Sequence, residues 1–193
     1  SDVYKRQVSW KQMNAEQRSL MREAVKEEWQ AWLDTGTAEV INVADIPEGE
    51  TVMRARTVMN FKDITLDGRA TGKKKAKARI TVAGYERPAK LGTKIDSPTV
   101  TKQGARVAGQ IAASKKMRGA TADIPTAFLQ GKLLEEPAFA HVPLEVRYAL
   151  NLPPEARMKM LKGGFGLEES PRLFFDKVDE DLVTDGWVKN KLD

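Results

Sequence analysis

The stretch "KKKAKARITVAGY" (Lys73–Tyr85) limits the fold of this chain more than any other. In extended backbone, side chains alternate between two faces, so Lys73, Lys75, Lys77 and Arg79 share one side. The segment before it, "EGETVMRARTVMNFKDI", also alternates in part and reads as a second strand. Between them "LDGRATG" offers Asp67-Gly68 and Gly72, residues suited to a tight reversal. The pair is therefore expected to form a hairpin with a basic ribbon on one face. Such a ribbon can follow a phosphate backbone or grip a triphosphate. It can equally be a solvated edge kept soluble by lysine.

Charge along the chain sharpens that choice. Residues 1–50 hold 6 basic and 10 acidic side chains, whereas residues 62–90 hold 9 basic and 3 acidic, within a net charge of +5. This asymmetry points to a local contact with a polyanion rather than a uniformly adhesive surface. The 193 residues, 41% apolar, suffice for one domain with a sizeable core or for part of a larger one. The chain has no Cys, which excludes disulfides and thiolate metal sites and suits an intracellular setting. Its one histidine, His141 in "FAHVPLE", excludes multi-histidine sites and receives no role. No apolar run approaches the roughly 18 residues of a membrane span. The chain starts with Ser and shows no signal peptide, so it reads as a fragment. The opening "SDVYKRQ" resembles translated sequencing adaptor, and residues 1–9 are set aside as a leader.

Asn14 is placed to cap a helix through "AEQRSLMREAVKEEWQAWLDTG", with Leu20, Met21, Ala24, Val25, Trp32 and Leu33 along its apolar stripe and Gly36 as its stop. Trp29 and Trp32 read as core residues. "AEVINVA" is expected as a short strand. "TKQGARVAGQIAASKKM" is expected as a helix with Val107, Ile111 and Ala112 inward. "RGATADI" is expected as a short buried strand ending at Asp123, followed by a helical turn in "PTAFLQG". Residues 135–155 are rich in proline and read mostly as loop with short extended pieces. "RMKMLKGGFGL" is expected as a strand entering a glycine-rich turn, before a helix opened by Ser170-Pro171. This order predicts an α+β architecture with a largely antiparallel sheet.

Four stretches together resemble the reverse transcriptase of copia-type retrotransposons. "KARITVAGY" is similar to the family's fingers strand K-A-R-L-V-A-R-G-F, and "IDSPTV" to its Y-x-P-V segment. "TADIPTAFLQGKLLEE" is similar to D-V-x-T-A-F-L-N-G-x-L-x-E, the first catalytic motif of the palm, and "GGFGLEESPRLFF" to Y-G-L-K-Q-x-P-R-x-W. They occur in the family's order, across roughly Trp10 to Asp193. The resemblance implies an incomplete right-hand polymerase over residues 10–193: a fingers hairpin and a partial antiparallel palm sheet with packed helices. It implies an RNA-directed DNA polymerase acting on an RNA or DNA template–primer and deoxynucleoside triphosphates, with no membrane partner. Catalysis would use two Mg2+ ions about 3.5–4 Å apart. Asp123 and the carbonyl of Ile124 would be metal ligands in the complete enzyme. Lys77 and Arg79 would meet the triphosphate, Phe128 would sit under the incoming sugar as a steric gate, and Lys73, Lys74 and Lys75 would contact nucleic acid.

The resemblance also has gaps. No Y-x-D-D hairpin occurs in the sequence, and Asp193 resembles only a lone aspartate before it, so this chain alone is expected to be inactive. Glu168-Glu169 stand where the family has Lys-Gln, which should repel a triphosphate. Pro125 replaces a commoner polar residue, and Thr81-Val82-Ala83 lack a second arginine. Without the resemblance, Asp123 is an ordinary turn or cap residue. Two other readings remain: a non-catalytic nucleic-acid-binding remnant of a decayed element, and an unrelated basic module that binds RNA by shape.

Overall fold

The computed structural model describes residues 7–66, 69–88, 95–120 and 122–188. Helix α1 spans Ala15–Asp34. Its first turn is closed reciprocally: Gln17 N–H donates to Asn14 Oδ1 at 2.8 Å, and Asn14 N–H donates to Gln17 Oε1 at 3.0 Å. Met21, Ala24, Val25, Trp29 and Trp32 form its buried stripe. Leu20 and Leu33, expected on that stripe, are exposed, because the 3.6-residue period centred on Met21 and Trp29 turns them outward. Gly36 ends the helix with φ +64.

Six strands follow: β1 (Ala38–Asn42), β2 (Val52–Met53), β3 (Ala55–Leu66), β4 (Arg69–Val82), β5 (Leu133–His141) and β6 (Ala156–Lys162). One sheet has the order β1-β6-β5-β2, antiparallel except between β5 and β2; the other is the β3-β4 hairpin. The chain passes from the first sheet to the second at Arg54, whose carbonyl accepts from Ala83 N–H at 2.8 Å. In the hairpin Ala76, Ala78, Ile80 and Val82 are buried while Lys73, Lys75, Lys77 and Arg79 are exposed, as the alternation predicts. Residues 71–73 face Ile64 alone in a bulge, and there Gly72 takes φ +74. The Asp67-Gly68 turn lies outside the described residues.

Helices α2 (Lys102–Ser114), α3 (Leu144–Leu150) and α4 (Ser170–Thr184) complete the mixed α/β fold. Helix α1 packs on β4 and α3, so the core joins both sheets through Trp32, Met53, Ile80, Val146, Met158 and Met160. Each such side chain contributes roughly 1.5–3 kcal/mol by leaving water. Residues 7–9, assigned to the leader from sequence, are joined to the fold: Val8 N–H donates to Met59 O at 3.0 Å.

Three expectations need correction. Residues 118–120 and 122–124 form no strand, and Asp123 is exposed. Helix α2 forms under its Thr101 cap, but Val107 and Ile111 face outward and none of its residues is buried. In the span read as mostly loop, the extended part is a full nine-residue strand over 133–141, and residues 144–150 are a helix. Pro137 is tolerated because it falls where β5 slips register between Leu133 and Ala138, and Pro143 because it precedes the first turn of α3.

Candidate nucleic-acid interface

Antiparallel register enlarges the basic ribbon beyond the residues visible in one strand. Lys75 lies opposite Lys62, Lys77 opposite Asn60, and Arg79 opposite Val58. Paired residues share a face, so Lys62 joins Lys75, Lys77 and Arg79. Lys73 and Lys74 are exposed beside them. Like charges at this spacing oppose one another. The Lys77 ammonium is held below its usual lysine range, first by partial burial and then by Lys62 and Arg79, with Lys75 adding and Glu28 opposing. A cleft of about 950 Å³ runs along this face, lined by Val58, Asn60, Lys62, Lys77 and Arg79 among others. On the α1 side, a smaller hollow of about 350 Å³ is lined by Glu27, Glu28, Lys75, Lys77 and Thr126. Glu28 also covers the free edge of β4, accepting from Ile80 N–H at 3.1 Å.

The far end of the ribbon is fixed by the loop 163–167. Val82 N–H donates to Phe165 O at 2.8 Å. Gly166 has φ +101, and a Cβ there would lie 2.0 Å from Val82 O. A Cβ on Gly164 would lie 2.5 Å from the Trp32 ring. Only glycine admits both contacts. They set Phe165 under the Arg79 guanidinium, 4.4 Å from the ring centroid. Phe165 in turn meets Phe128 edge-on at 5.3 Å, and Phe128 meets Phe174 of α4 at 6.5 Å.

Lys77, Arg79 and Phe128 thus lie around one ribbon and one aromatic cluster. Phe128 is half-buried between Phe165 and Phe174. Asp123 and Ile124 lie exposed in irregular backbone, and the Asp123 carboxylate makes no hydrogen bond or ion pair among the described residues. Among the described residues no three His, Cys, Asp or Glu side chains stand close enough to hold a metal. Asp123 is a hard oxygen donor of the type Mg2+ takes, but the described residues do not by themselves make a two-ion site. Glu169, expected to repel a triphosphate, is ion-paired with Arg87 at 2.7 Å; both are largely covered, while Glu168 is exposed. Sequence reasoning missed Lys62, which only the strand register reveals, and Phe165, whose one signal was its place in "GGFGL".

Comparison with known proteins bears on the origin of the chain rather than on these side chains. The chain is 28% identical over 183 residues, 92% of its length, to the "Retrovirus-related Pol polyprotein from transposon TNT 1-94" of Nicotiana tabacum. It spans 13% of that polyprotein. No protein-family model matches the chain, and no solved structure matches it. The likeness supports a retrotransposon origin and suggests an enzyme region of a retroelement Pol polyprotein.

Proposed function

We propose that the chain is the fingers and part of the palm of an RNA-directed DNA polymerase from a copia-type retrotransposon. The basic face of the hairpin meets the phosphates of a template–primer or an incoming deoxynucleoside triphosphate. One observation carries this reading: Lys62, Lys75, Lys77 and Arg79 share one face of the hairpin, where like charges repel. A phosphate relieves that repulsion. The four motifs in family order, and the Pol likeness over the same span, support it.

In the complete enzyme, Mg2+ supplies charge neutralisation and activation of the attacking hydroxyl. Asp123 and the Ile124 carbonyl are the ligands this chain would offer. A binding remnant without catalysis is the second reading, favoured by the single, exposed Asp123. Fluorescence anisotropy with a recessed duplex across a salt series tests the binding common to both. Each phosphate contact steepens the fall of log K against log salt by about 0.9 for a duplex. Lys75→Ala with Lys77→Ala should flatten that slope; an unchanged slope overturns the interface. Primer extension by a completed polymerase then separates the readings. Asp123→Asn should abolish extension there, and retained activity removes the metal role.

A further inference from the structure

Three basic side chains outside the hairpin converge at one end of the four-stranded sheet. Register places His141 of β5 opposite Arg157 of β6, so both leave the same face. Arg147 approaches from α3, and both guanidinium groups act on the imidazole, which partial burial and their charge hold below its usual pKa. The one acid acting the other way, Glu86, is already engaged by the backbone N–H and guanidinium of Arg54. Arg157 Nη1 donates to the carbonyls of Pro154 and Ala156 at 2.8 and 3.0 Å, which pins its guanidinium. The Nε atoms of Arg147 and Arg157 are buried without a hydrogen-bond partner. Among the described residues neither guanidinium is ion-paired, clustered cations are unfavourable until an anion joins them, and a phosphate oxygen pair suits a guanidinium fork.

The geometry points to a second phosphate site at His141, Arg147 and Arg157, which takes one backbone phosphate of a nucleic-acid strand. It rests on the nucleic-acid reading above but uses none of the hairpin lysines. The strand is favoured over a free ion by position. Ala140, next to His141, pairs with Met53, and Met53 precedes the corner that opens the hairpin. A strand that leaves the hairpin along this root would meet the cluster at raised effective concentration, whereas a free ion must bind an open site unaided.

The experiment uses the chain's one histidine as a reporter. Proton–carbon NMR of the imidazole is recorded with a short oligonucleotide, and with inorganic phosphate at the same phosphate concentration. The oligonucleotide should shift the resonance and raise the imidazole pKa, because a phosphate offsets the field of Arg147 and Arg157. Arg147→Gln should lose that shift and weaken oligonucleotide binding several-fold, with a salt slope lower by about one. Lys77→Ala should weaken binding yet keep the shift at saturation. A silent imidazole while Lys77→Ala still lowers affinity overturns this site and leaves the hairpin reading standing. No oligonucleotide binding at all removes both. A shift with inorganic phosphate but not with the strand overturns the assignment to a strand.

Discussion

Arg79 and Phe165 lie face to ring, 4.4 Å apart, although 86 positions separate them in the chain. The contact ties the basic hairpin to the glycine-rich loop, and through Phe128 to the stretch that carries Asp123. It is a packing contact and an electrostatic one at once.

Truncating the ring tests both roles. Phe165→Ala should destabilise the protein by roughly 2–3 kcal/mol in urea denaturation, less than a fully buried Phe because this ring is half-exposed. Phe165→Leu should recover part of that loss by refilling the volume against Phe128, without restoring the cation–π term. Equal loss in both variants would show that the volume contributes little.

The loop itself makes a sharper prediction. Gly166→Ala places a methyl 2.0 Å from Val82 O at φ +101, and should cost roughly 2–5 kcal/mol. A methyl added at Gly109 of α2 would meet nothing within 4 Å, so Gly109→Ala should be neutral or stabilising by at most about 1 kcal/mol. Parallel denaturation curves decide the matter, and similar effects at both sites would contradict the close approach.

Lys77 predicts a pH dependence of definite sign. Its folded pKa lies below that of an ordinary lysine, so between the two the unfolded chain binds more protons and stability rises with pH. Below the folded pKa the penalty is fully present. Lys77→Gln should therefore be more stable than the parent at neutral pH, and the gap should close as pH climbs through the lysine range. Salt should narrow only the part owed to Lys62, Arg79 and Lys75, because the cost of partial burial is not screened. Denaturation midpoints taken stepwise into alkaline buffer measure this; a gap that widens with pH would contradict the cluster.

Sequence carried the parts governed by local rules. Asn14 and Gln17 mark the start of α1, and alternation sorts Lys75–Val82 into two faces. It missed the parts that depend on distant partners. β5 holds Glu135, Glu136 and Pro137, poor strand residues on their own, and exists because Ala138–His141 pair with β6. Val107 and Ile111 have helical spacing, but spacing says nothing about what covers a face. Lys77 and Arg79 were legible as a charged face, whereas Phe165 was not, because its neighbours come from β4, the Ala127–Gln130 turn and the loop at once.

The corner at Arg54 has a mechanical consequence. One continuous backbone leaves the sheet at Met53 and becomes the hairpin at Ala55. A displacement of the hairpin is therefore passed along covalent backbone to Val52 and Met53, whose pairing with Phe139 and Ala140 of β5 carries it into the four-stranded sheet.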